Sequence, residues 1–161
     1  MPVLGGNTID HAAKVKGMVA DSQLINKISK LNKTGSTIAF GLGVVSDGED
    51  ASKLPTGAET ALQFNGVVKH ELNRAYTDGA TFGAPTGYDM TVVTEGVVWV
   101  TVLDTVAKDA QAYLRVGSTD VGNWSGIVGA GVTLGTLIPN AKFLTGGNAG
   151  ELVKLSLGLG G

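Results

Sequence analysis

Histidine is the side chain best suited to moving protons near neutral pH, and this sequence offers two, His11 and His70. Neither belongs to a His-x-x-x-His or Cys/His cluster and the chain has no cysteine, so zinc has no signature here. His70 is followed by Glu71, with Arg74 four residues on. A histidine base held by a carboxylate would still need a nucleophile, and nothing singles one out among the many serines and threonines. A surface histidine beside a charge pair is the plainer reading. Asp47, Glu49 and Asp50 form an acidic bend, but Gly48 interrupts it and Ala51-Ser52-Lys53-Leu54-Pro55 does not continue a calcium loop. Asp89, Glu95, Asp104 and Asp109 could pair in space as a glycosidase requires, though separation along the chain does not place them. In Gly126–Gly135, Gly129, Gly131 and Gly135 miss the dinucleotide spacing, and no Walker-type lysine follows. The sequence therefore predicts no catalytic residue, no metal and no cofactor.

With chemistry undirected, function must lie in surfaces. The chain has 161 residues, room for one ordinary domain. Apolar residues make up 43% of it, enough for a core, while charged residues are 16%, against roughly 25% in typical soluble domains. The formal net charge of −2 suits neither a polybasic nucleic-acid binder nor an acidic tail. Glycine, at 25 residues, runs at about twice ordinary usage. Low charge with abundant glycine suggests tight turns, long loops and surfaces that become buried against partners. No apolar run approaches the length of a membrane span, and Met1–Gly6 lacks the basic start of a signal peptide. No direct nucleic-acid or membrane partner is expected.

Residues 1–35 read as an N-terminal arm or short helix, and residues 36–161 as a β domain. The first segment carries Lys14, Lys16, Lys27, Lys30 and Lys33 against Asp10 and Asp21, a local formal charge of +3. Leu24, Ile25, Ile28 and Leu31 recur at helical spacing after a cap at Asp21 or Ser22, but the pattern spans barely two turns; helix and extended arm both remain open. Beyond it, Ile38–Val45 reads as a glycine-interrupted strand, and Gln63–Leu72 as a second. Met90–Val93 and Val97–Leu103 flank Thr94-Glu95-Gly96, the pattern of an antiparallel hairpin. Val98, Val100 and Val102 would line one face, Trp99, Thr101 and Leu103 the other. Both faces are largely apolar, which predicts a central strand covered on each side. Ala112–Val116, Gly131–Leu134, Ala141–Leu144 and Leu152–Leu157 complete the strand candidates, and Leu155–Leu159 could form a sheet edge or pair with another subunit. The fold class is all-β, a compact antiparallel sandwich or barrel, a jelly roll included, with long glycine-rich loops. The expected core includes Phe40, Val98, Trp99, Val100, Phe143 and Leu155. Trp124, amid glycine, asparagine and serine, reads as a loop anchor or a subunit contact.

The order of these segments resembles the structural cement, or head-decoration, proteins of tailed bacteriophages. The resemblance rests on Gly17-Met18-Val19-Ala20-Asp21-Ser22, Ile38-Ala39-Phe40-Gly41, Gly66-Val67-Val68, Gly87-Tyr88 ahead of Val92-Val93, Glu95–Val100, and Ile138–Phe143. It covers roughly residues 14–157. It implies a non-enzymatic virion protein on the outer capsid surface, assembled in the host cytoplasm. The implied role is to bridge major capsid protein subunits, often as a homotrimer. It also implies that Gly17–Ser22 lies near a contact, and the candidate assembly residues are Lys14, Lys16, Gly17, Met18, Asp21 and Trp124. Alternatives are another tail or head-fibre component, a carbohydrate-binding β module using Trp124 or Tyr88, and a hydrolase built on His70.

Overall fold

Valine and threonine crowd the middle of the chain, and their branched side chains keep one strand extended for 13 residues. The computed structural model describes residues 14–20, 24–71 and 82–158. Among them the strands are β1 (Asn26–Leu31), β2 (Ile38–Ala39), β3 (Gly43–Ser46), β4 (Ser52–Lys53), β5 (Phe64–Val68), β6 (Gly83–Ala84), β7 (Asp89–Thr101), β8 (Gln111–Arg115), β9 (Trp124–Ser125), β10 (Gly135–Phe143) and β11 (Leu152–Leu157). Helix is confined, among these residues, to two 3-10 turns, Ala61–Gln63 and Gly131–Thr133. The antiparallel sheet runs β4-β3-β5-β7-β11-β10-β8-β9, with β1 also paired to β7 and a small β2–β6 ladder beside it. Beyond β7 a bridge from Val102 to Trp124 brings β9 back toward the strand that began the turn. The sheet thus curls into a half-barrel, an all-β fold of the expected class.

The hairpin expected around Thr94-Glu95-Gly96 is absent, because β7 runs straight through it. Gly96 has φ 128°, a conformation that side-chain-bearing residues rarely adopt. Beside it the β1–β7 register passes from Asn26↔Glu95 to Lys27↔Val93, leaving Thr94 unmatched as a bulge. Glycine and bulge bend the strand without reversing it. Its first half pairs with β1 and β5, and Gly96–Thr101 pairs with β11. The strand therefore serves two cores. Met90 and Val92 join Ile38, Phe40, Val44 and Val68 in the smaller one, while Val93, Val98 and Val100 join Phe143, Leu155 and Trp124 in the larger.

Other sequence expectations are corrected by the same curl. Leu24–Leu31 contains no helix: 26–31 is strand β1, with Ile28 38% exposed and Leu24 73% exposed. The helical spacing of its apolar residues marks no buried face. β1 lies N-terminal to residue 35, so a β domain begun at residue 36 would lack it. Gly131–Leu134 is a 3-10 turn and a connection; its strand begins at Gly135 and continues past Pro139. That proline, which has no N–H to donate, falls where the β8–β10 register skips from Leu137 to Lys142. β11 is interior, between β7 and β10, so Leu155–Leu157 forms no edge.

Phe40, Val98, Val100, Phe143 and Leu155 are buried. Trp99 is not in the core with them. Alternation along β7 sends Val98 and Val100 inward and Trp99 outward, where it is half-buried. Lys14 Nζ lies 4.8 Å from the centre of its ring and Lys154 Nζ 5.6 Å, cation–π contacts that cover an indole the sheet does not. Trp124 has the opposite fate: it is fully buried, edge-on to Phe64 with ring centres 5.8 Å apart. A side chain with no exposed surface has nothing to offer a partner, and Trp124 is a core residue.

Candidate contact surfaces

The segment 14–20 lies along the second half of β7, on the edge opposite β11. Gly17 N donates to Trp99 O at 2.7 Å, Trp99 N to Met18 O at 2.8 Å, and Ala20 N to Val97 O at 2.8 Å. Gly17 also accepts from His70 N at 2.8 Å. Its φ is 81°, and a Cβ there would stand 2.7 Å from Gly41 N and 2.8 Å from Val68 O. Gly17 is therefore a buried joint on which the segment turns. Lys14 and Met18 are exposed on either side of it. Lys16 is partly buried and donates from Nζ to Asn123 Oδ1 at 3.0 Å. Burial pushes its pKa below the usual lysine range, partly opposed by the carboxylate of Asp120. Asp21 lies outside the described residues, as do His11, Ser22, Arg74, Tyr76 and Leu159.

Beside this segment Val15, Lys16, Ala39, Phe40, His70 and Phe82 line an apolar cavity of about 330 Å3. The His70 ring stands edge-on to Phe40 with centres 4.9 Å apart, and the Glu71 carboxylate accepts from Thr91 Oγ1. Neither arrangement presents a hydroxyl to the imidazole. Among the described residues no three of His, Cys, Asp and Glu gather as metal ligands. The acidic bend at 47–50 is engaged through its backbone, with Leu31 N donating to Asp50 O at 2.9 Å. In the glycine-rich stretch, Gly126 N donates to Asp104 Oδ1 at 2.8 Å, so a carboxylate of this chain already occupies the amide a phosphate would seek.

A second surface went unnoticed in the sequence. Leu62, in the 3-10 turn before β5, is 97% exposed. The loop that carries it is far from loose. Glu59 Oε2 accepts from the backbone N–H of Thr56 at 2.8 Å, Gly57 at 2.9 Å and Ala58 at 3.1 Å, and Oε1 accepts from Thr56 Oγ1. Burial alone would raise the Glu59 pKa, but these donors outweigh it and hold the carboxyl at about 2. Thr136 Oγ1 donates to Glu59 O at 3.0 Å, fastening the loop to β10. Near that strand Ile127, Val128, Val132, Leu134 and Leu137 are exposed as well. Single exposed apolar residues are ordinary, but these fall close together in the chain, in and just before one strand. The only sequence signal was an unremarkable scatter of Val, Ile and Leu between glycines.

Over residues 6–158 the sequence matches the family model of structural cement proteins (E217 gp24/Pam3 gp6), and the chain belongs to that family. It is a phage structural cement protein. A solved structure described as the capsid of Myoviridae phage XM1 contains a chain of similar fold. The two are 17% identical, the match covers 89% of each, and the TM-score is 0.66. A search of curated proteins gave no match in sequence.

Proposed function

We propose that this protein docks on the outer surface of the phage head and bridges neighbouring major capsid subunits. The observation that carries the reading is the family match across nearly the whole chain, joined to a fold that displays Leu62 and Val132 on short 3-10 turns and Leu137 on β10. Anchored loops lose little conformational entropy when a partner covers them, so modest apolar contacts convert more fully into affinity. Lys14 and Met18 on the 14–20 segment supply a second contact. A molecule touching more than one capsid subunit gains from effective concentration even where each contact is weak. Three copies around a closed axis would confine addition to defined sites and avoid open filaments.

The test mixes purified protein with undecorated heads, followed by sedimentation and imaging. Cosedimentation, extra density on the outer surface in groups of three, and heads that survive greater heating are the expected results. Protein that stays in the supernatant would overturn the docking, and density in other groupings would overturn the trimer. A head whose heat resistance is unchanged by decoration would remove the bridging role.

A further inference from the structure

Arg115, the last residue of β8, is 6% exposed, and its Nε is buried with no hydrogen-bond partner. No ion pair among the described residues includes it. A buried lysine or histidine can shed its proton, but a guanidinium stays charged at any ordinary pH. Its terminal nitrogens reach the surface, but the buried Nε–H is left without an acceptor, which is costly. Three of the chain's carboxylates are already engaged elsewhere. Glu59 is held by Thr56, Gly57 and Ala58; Asp104 by Ser125 and Gly126; and Asp109 by Lys142 at 3.6 Å. Opposite Arg115 in the ladder stands Gly135, and Tyr113 two residues back faces Leu137. Gly135 N donates to Val128 O and Val116 N to Leu134 O, which places those residues at the same spot. Val128 (53% exposed), Leu134 (36%) and Leu137 (42%) thus frame the arginine with uncovered apolar surface.

We infer that Arg115 awaits a carboxylate from the capsid protein, an Asp or Glu set in apolar surface that closes over Val128, Leu134 and Leu137. This rests on the docking reading above and names the chemistry of its partner. Charge complementarity selects the acid, since no ion pair among the described residues answers this cation. The apolar frame excludes water when covered, which strengthens the pair, and arginine binds a carboxylate through two parallel hydrogen bonds.

Two variants of the full-length chain, Arg115→Met and Leu137→Asp, test it by urea unfolding of the free protein and by binding isotherms on undecorated heads. Arg115→Met removes an uncompensated charge, so its unfolding midpoint should equal or exceed that of the parent while head affinity falls by about thirtyfold or more. Leu137→Asp offers Arg115 an acid from its own chain and should also weaken binding. A lower midpoint for Arg115→Met overturns the inference, because the guanidinium would then have an internal role. Unchanged affinity in either variant overturns it too. If Arg115→Met alters the number of copies in solution and not head binding, the carboxylate belongs to a second copy and the inference fails. Parent protein that ignores heads brings down the docking reading as well; parent binding with indifferent variants sinks this inference alone.

Discussion

Two tryptophans on one sheet have opposite jobs, and mutation should separate them. Trp124→Ala empties a fully buried site and should cost about 3–5 kcal/mol in urea unfolding. Trp99→Ala removes a half-buried ring beneath two lysines and should cost about 1 kcal/mol; a larger loss for Trp99 than for Trp124 would contradict the assignment. Local sequence could not have sorted them. Trp99 sits in the most strand-like stretch of the chain, where both faces read as apolar, and only the direction of curl decides which is inside. Trp124 sits among turn-forming residues and enters the core because Val102 bridges to it from a distant segment. Gly17 is the third residue whose role is tertiary. Gly17→Ala would press a Cβ against Gly41 N and Val68 O at positive φ, and a loss of about 2 kcal/mol is expected by thermal melting. A variant as stable as the parent would show that the 14–20 segment turns elsewhere.

At the scale of elements, the Glu59 loop carries a pH signature. The Glu59 carboxyl has a folded pKa of about 2 against an ordinary value of 4.5. A depressed carboxylate contributes stability that is fully present above pH 4.5 and lost as pH falls from there toward 2. Glu59→Gln should therefore be less stable than the parent by about 2 kcal/mol at pH 7, and the gap should close on acidification to about pH 2.5. A gap that is constant with pH would mean the charged form is not what the backbone amides hold. Leu62→Ser, at the exposed end of the same loop, should leave the unfolding midpoint within about 0.5 kcal/mol of the parent while weakening head binding. Strand positions at 90–93, 97–100, 112–115 and 152–157 were legible from branched residues and alternation. Their connections were less so. A hairpin and a bent strand share the same local signals at Glu95-Gly96, and the partner in the register, β1, lies far back in a segment whose apolar spacing imitates a helix.

At the scale of the whole molecule, the described residues form two hydrophobic clusters, yet it should unfold as one. β7 contributes side chains to both and has hydrogen-bonded neighbours on each edge, so neither cluster can open without disturbing the other. Native-state hydrogen exchange should return the same opening free energy for Val92 and Val100, one in each cluster. A difference above about 2 kcal/mol would divide the molecule into separate folding units. Leu62 and Arg115 were not legible in the sequence, since their significance lies in what fails to cover or to pair with them.

The same strand has a mechanical consequence. A pull along the axis of β7 loads its ladder hydrogen bonds in shear, so that those on both edges resist together, whereas a pull across a sheet edge would unzip them in turn. The bend at Gly96 divides the load between the two clusters. A subunit gripped near the two ends of such a strand would behave as a tie rod: compliant at its loops, and stiff along the line that joins its contacts.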